Sequence, residues 1–177
     1  MDVCHYAAEE TLHNGLSVMI RAIRPNDKSK IIAAFEQLEP QSIYTRFFQY
    51  KRELSEAELQ RATEVDFENE VALVATVDKG ERETIIGSGR YVAYTPPEAI
   101  RSAEIAFIVE EDYQGQGIAS RLLRHLTHIA REKGVKRFTA EVLPDNPAML
   151  AMFSGCGLPM ETKRRIDIVK VILRLDE

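Results

Sequence analysis

The chain has 177 residues, of which 45% are hydrophobic, 29% charged and 7% aromatic. Seven prolines and nine glycines are too few for a low-complexity or collagen-like chain, and the length suits one domain, 1–177, with a sizeable core. The net charge of −5 argues against general attraction to nucleic acid. The longest apolar runs, such as residues 71–77, fall far short of the roughly 20 residues that span a bilayer. The opening MDVCHYAAEE lacks the basic-then-apolar pattern of a signal peptide. Two cysteines, Cys4 and Cys156, cannot build a disulfide framework or a four-thiolate zinc site. None of His5, His13, His125 and His128 makes a metal-ligand spacing with a cysteine. The expectation is a cytoplasmic, reduced, metal-free protein, monomer or homodimer, with neither a membrane nor a nucleic-acid partner.

In chain order, residues 16–23 (LSVMIRAI) are strand-like. Arg24-Pro25-Asn26 ends them, with Asn26 as the cap of a helix over 27–38. Pro40 stops that helix and opens a second helical piece through Phe48. Ser55 followed three residues later by Glu58 is a capping box, so 55–63 is a short helix. Residues 71–78 are a β-rich run, Lys79-Gly80-Glu81 a turn, and 84–94 the partner strand of a hairpin. Thr95-Pro96-Pro97 interrupts, and 102–110 is another strand. The period then changes. Between 118 and 133, Ile118, Ala119, Leu122, Leu123, Leu126, Ile129 and Ala130 share one side of a helical wheel, and Gly134 is the stop. His125 and His128 fall on the polar, solvated side. Residues 136–143 read as a strand. Asn146 caps and Pro147 opens a helix that Gly155 and Gly157 end, and two strands fit the tail. The pattern is a mixed α/β arrangement around one sheet.

The junction between Glu110 and Ser120 carries the most chemical information. A strand enters a turn with two glycines, Gly115 and Gly117, and leaves it as a helix. The first amides of a helix lack internal partners and sit at the positive end of its dipole. Glycines let a phosphate reach the main chain. The plainer reading is an ordinary strand-to-helix turn. A dinucleotide fingerprint would need a third Gly or Ala where Ser120 stands, and a P-loop would need Gly-Lys-Ser/Thr, so NAD and ATP are both disfavoured.

Gln114-Gly115-Gln116-Gly117-Ile118-Ala119 resembles the Gln/Arg-x-x-Gly-x-Gly/Ala signature of the GNAT N-acetyltransferase superfamily. IAFIVEEDYQGQGIASRLL looks like the family's fourth strand, pyrophosphate loop and third helix, and EVLPDNPAMLAMFSGCGL like its next strand and helix. IRPND, SIYTRFF, LSEAELQRATEVDFENEVALVA and IIGSGRY resemble the acetyltransferase domain of bacterial protein-lysine acetyltransferases. The resemblance implies one central, mostly antiparallel twisted sheet with a splayed parallel strand pair, flanked by helices. It implies acetyl-CoA as cosubstrate, its pyrophosphate held by the amides of Gln114, Gly115, Gln116, Gly117, Ile118 and Ala119, with Ser120 next to them. Phe107, Ile108 and Val109 would lie along the pantetheine arm, their backbone acting as a strand edge. Asn146 would bond the arm from the far side, and Met149, Met152 and Phe153 would pack near the thioester or adenine end. Each has a plainer role too: Asn146 as helix cap, the others as core residues.

Acetyl transfer to an amine needs a base to take a proton from the ammonium. The family context points to Glu104, which alternates with Ala106 and Ile108 on a largely apolar face. Burial there would raise its pKa into a useful range. The plainer reading is an exposed, idle carboxylate, and Glu70 and Glu141 are weaker alternatives. Many family members place a Tyr general acid seven residues after the Asn, where this chain has Phe153. Tyr91 and Tyr113 are substitutes without a positional argument. Three functions remain open: acetylation of a protein lysine, acetylation of a small amine, and a non-catalytic acetyl-CoA sensor. An open groove beside Glu104 would favour a protein acceptor. A closed pocket walled by residues 44–50 or 91–97 would favour a small amine.

Overall fold

The computed structural model describes residues 2–47 and 52–176. Strands β1 (Ala7–Thr11), β2 (Ser17–Ala22), β3 (Glu70–Lys79), β4 (Arg82–Tyr94), β5 (Ser102–Val109), β6 (Arg137–Val142), β7 (Met160–Arg164) and β8 (Val169–Arg174) form one sheet. Their order is β1-β2-β3-β4-β5-β6-β8-β7. Helices α1 (Lys28–Glu36), α2 (Pro40–Phe47) and α3 (Glu56–Thr63) precede β3. Helix α4 (Ile118–Glu132) joins β5 to β6, and α5 (Pro147–Ser154) follows β6. Every neighbouring pair is antiparallel except β5 with β6. This is the mixed fold expected from the sequence, with its mostly antiparallel sheet and one parallel pair. Among the described residues, no helix is long and apolar enough to cross a membrane.

A parallel pair needs a long crossover, and α4 supplies it. Its Leu122, Leu123, Leu126, Ile129 and Ala130 are buried with Ala103, Ile105 and Phe107 of β5 in one cluster. Each such side chain contributes on the order of 2 kcal/mol by leaving water. Gly89 on β4 permits the close approach: a Cβ there would stand 2.8 Å from the Phe107 ring and 3.1 Å from Leu126. On the other face, Ile23, Ala72, Val74 and Ile85 pack with Ile31 and Ala34 of α1.

Two local expectations need correction. Asn26 does not cap α1. Residues Pro25–Asp27 form a 3₁₀ turn, and the Asp27 carboxylate accepts the Arg24 amide at 2.8 Å. A carboxylate suits this place because Arg21, 2% exposed, donates to both Asp27 oxygens at 2.8 and 2.9 Å and to Glu83 Oε1 at 2.8 Å. Strand β1 has no counterpart among the expected elements: AAEET alternates half-buried with exposed residues at a sheet edge and has no apolar run. Helix α2 extends to Phe47, while Phe48 and Tyr50, expected in it and after it, lie outside the described residues.

Candidate active site

The registered β5–β6 pairs are Ser102 with Arg137, Ala103 with Phe138 and Glu104 with Thr139. Beyond them β5 continues to Val109 paired with β4, and β6 to Val142 paired with β8. The two strands therefore diverge just after Glu104. From Ile105 onwards, β5 presents an open edge of backbone donors and acceptors. Phe153 of α5 sits near the divergence, 1% exposed, its ring 6.0 Å from that of Phe107.

A cleft of about 640 Å³ opens from this divergence, within the usual size range of small-molecule sites. Phe107, Ile108 and Val109 border it, as do Asn146, Met149 and Met152 of the α5 segment. Gln114, Gly115, Gly117, Ile118, Ala119 and Ser120 also border it. Phe153 borders instead a smaller space of about 50 Å³ between the splayed strands, shared with Phe107, Asn146 and Met149. The structure thus brings together all but one of the cofactor residues expected from the sequence.

That exception is Gln116, which borders neither the cleft nor the splay space. Its carbonyl faces away, accepting from the His13 amide at 3.3 Å and from Arg121 Nη1 at 3.3 Å. Arg121 also donates to the carbonyls of Gly117 at 3.0 Å and Thr11 at 2.8 Å. The β1–β2 hairpin and Arg121 together brace the loop from behind. Gly115 (φ +79°) and Gly117 (φ +90°) hold left-handed conformations. A Cβ at Gly117 would overlap the Arg121 guanidinium. Among the described residues, the amides of Gly115, Gln116 and Gly117 have no backbone acceptor. They precede α4 at the positive end of its dipole, a donor set that fits a pyrophosphate.

The geometry of Asn146 accommodates both of its expected roles, since its Oδ1 accepts the Met149 amide at 3.3 Å and the residue borders the cleft. Among the described residues, the rest of its side-chain amide has no hydrogen-bond partner. Tyr113 borders the cleft at the loop end, with Lys79 Nζ 5.6 Å from its ring centroid. Tyr91 lies on the α4 side of β4, 0% exposed, beside Phe138. Burial pushes its hydroxyl up to about 12. Neither tyrosine stands at the strand divergence.

Glu104 does stand there, but not as expected. It is exposed rather than buried. Its register partner Val92 is 46% exposed and nearby Tyr94 39%. The Tyr94 hydroxyl lies 3.2 Å from that of Thr139, the register partner of Glu104 on β6. Glu70 lies 3.7 Å from Arg90, and Glu141 borders the small splay space.

Other groups carry no signal in the sequence. Arg46 of α2 borders the cleft, the splay space and a third, largely apolar cavity. Only the packing of α2 on β5 reveals this. His125 is not solvated. Its ring nitrogens lie 2.5 Å from the Tyr6 hydroxyl and 2.9 Å from Glu10 Oε1, with its side chain 13% exposed. The 3₁₀ turn Val3–His5 gathers Asp2, Cys4 and His5, with donor atoms within 4.8 Å of one another at the surface. Contrary to expectation, His5 and Cys4 therefore do stand at a ligand spacing.

Residues 37–158 match the Acetyltransferase (GNAT) family. An acetyltransferase of Pseudomonas aeruginosa is 30% identical over 148 residues, 84% of this chain and 78% of its own length. Acetyltransferase Pat of Mycolicibacterium smegmatis is 33% identical over 138 residues, 78% of this chain and 40% of Pat. The GNAT domain of S. lividans PAT superposes with a TM-score of 0.85 at 32% identity, over 95% of this chain and 96% of that one.

Proposed function

Since this chain belongs to the GNAT acetyltransferase family, we propose that it moves the acetyl group of acetyl-CoA to the side-chain amine of a protein lysine, with Glu104 as general base. The observation that carries this reading is the setting of Glu104. It lies at the last registered pair before the strands diverge, on an exposed face beside exposed Val92 and Tyr94. A lysine presented on a folded protein needs such an open approach. A small amine is better served by an enclosed pocket.

The residues divide the chemistry. The glycine loop and the start of α4 hold the pyrophosphate by backbone amides. The open edge of β5 and Asn146 hold the arm, which directs the thioester towards the divergence. A lysine ammonium has a pKa of about 10.4 and must lose a proton to become nucleophilic. Glu104 takes that proton, directly or through one water. The neutral nitrogen attacks the thioester carbonyl, a C–N bond forms, the C–S bond breaks, the nitrogen releases its second proton to solvent, and the departing thiolate is protonated from solvent. A thiolate is a good leaving group, so Phe153 in place of a hydroxyl donor is compatible with turnover.

The test is release of CoA from acetyl-CoA with a lysine-bearing protein, a polyamine or free amino acids, in wild type and Glu104→Gln. The lysine protein should be the best acceptor, with turnover lowered by about 100-fold in the variant. Polyamine as the best acceptor would replace the protein reading with the small-amine one. Acetyl-CoA binding without amine-stimulated release would favour a sensor.

A further inference from the structure

Arg46 is the one described residue that borders all three cavities. Among the described residues its guanidinium donates to no hydrogen-bond acceptor. Its neighbour there is the Phe47 ring, with its centroid 4.9 Å away. The other cations of the apolar cavity are placed differently. Arg90 donates to the Ala62 carbonyl at 2.9 Å and lies 3.7 Å from Glu70, and Arg61 is exposed. The carboxylates bordering that cavity have work of their own. Glu58 accepts the Ser55 amide at 3.1 Å, and Glu110 caps the Asp112 amide at 3.4 Å. Burial holds Arg46 down to about 10, the Arg90 charge adds to the effect, and Glu104 opposes it. An arginine fork left without an acceptor in a half-buried place is suited to a carboxylate, which it meets with two parallel hydrogen bonds.

Its position says where that carboxylate sits. The splay space lies at the strand divergence next to Glu104, and the adjoining cavity of about 240 Å³ is walled by aliphatic side chains including Ile31, Ile85 and Ile108. We propose that Arg46 selects a carboxylate at the thioester end of the cleft, carried either at the far end of a short acyl chain on CoA or beside the acceptor amine. This rests on the transfer reading above and adds a charge preference to it. Acetyl groups do not engage the fork. A four-carbon chain ending in a carboxylate, or an acceptor lysine with an acidic neighbour, does.

The first experiment measures binding of succinyl-CoA and of butyryl-CoA, its uncharged four-carbon counterpart, by calorimetry in wild type, Arg46→Gln and Arg46→Lys. It needs no turnover, so it stands even if Glu104 is not the base. The second measures acetyl transfer to lysine peptides with a neighbouring Glu or a neighbouring Gln. Each is read as the ratio of charged to uncharged partner, which cancels any general loss in a variant. A wild-type ratio of at least fivefold in the first arm, abolished in Arg46→Gln and partly kept in Arg46→Lys, assigns the carboxylate to the acyl donor. The same result confined to the second arm assigns it to the acceptor. Wild-type ratios near one in both arms, or ratios that Arg46→Gln leaves unchanged, overturn the proposal. Absence of transfer to any peptide would overturn the transfer reading separately.

Discussion

Arg121 sits behind Gly117 and donates to its carbonyl at 3.0 Å, so the residue that gives the loop its φ of +90° and the residue that braces it occupy adjoining space. A larger side chain at 117 strains the backbone and must displace the guanidinium. In Gly117→Ala, the added Cβ meets both the left-handed backbone and the guanidinium. We expect acetyl-CoA affinity to fall at least tenfold, read by calorimetry. Arg121→Ala removes the brace and leaves the glycine. Its KM for acetyl-CoA should rise several-fold, with kcat changing by less than about twofold, because the reacting end of the cleft is untouched.

Asn146 has an observed cap role and a proposed role towards acetyl-CoA, and substitution can separate them. Asn146→Ala loses the cap on the Met149 amide, at a cost of about 1 kcal/mol. For a chain of this size that lowers Tm by roughly 2–4 °C. Asn146→Ser keeps a capping oxygen and should melt close to wild type. Both variants lose the side-chain amide on the cleft side, so both should raise the KM for acetyl-CoA several-fold. An unchanged KM in both would leave Asn146 as a cap alone.

The Arg21 cluster predicts how stability depends on acid. Arg21 above all, with Lys30, holds the Glu83 carboxyl down to about 2, against burial that pushes it up. For Asp27 burial also pushes upward, and the bonds from Arg21 and the Arg24 amide overcome it. A depressed carboxylate stabilises the fold fully above its unfolded pKa and loses that contribution as pH falls towards its folded value. The Glu83 contribution should therefore fade from about pH 4.5 down to about pH 2 in denaturant titrations. Glu83→Gln should flatten that slope. Asp27→Ala removes one of the two carboxylates paired with buried Arg21 and leaves Glu83, and should cost on the order of 3 kcal/mol at neutral pH.

Local signals are legible where one short segment decides its own structure. The Ser55–Glu58 box forms as its spacing predicts, each side chain bonded to the other's amide. The apolar stripe of α4 and its Gly134 stop also match their sequence pattern, Gly134 at φ +79°. So does the Asn146-Pro147 start of α5. Cap chemistry and helical period act over a few residues, so they are visible in one sequence.

Residues whose surroundings are assembled from distant segments behave differently. Period-2 alternation assigns Glu104 to the face it occupies, but alternation does not say whether a helix covers that face. Helices α1 and α2 pack against β4 and β5, and Glu104 is left exposed. His125 lies on the polar side of α4 as its spacing predicts, yet Tyr6, 119 residues away, and Glu10 of β1 bury it. Gln116 fits the motif, and the β1–β2 hairpin turns its carbonyl away from the cleft.

The sequence by itself determined the glycine turn before α4, the helices that flank it and the family to which they belong, because glycine placement, capping and period are local properties. Tertiary structure alone decided that the β5–β6 register ends at Glu104, that the adjoining face is open, and that Arg46 reaches three cavities. Those outcomes depend on burial and charge contributed by segments far apart in the chain, and these arise only once the sheet and its helices are packed together.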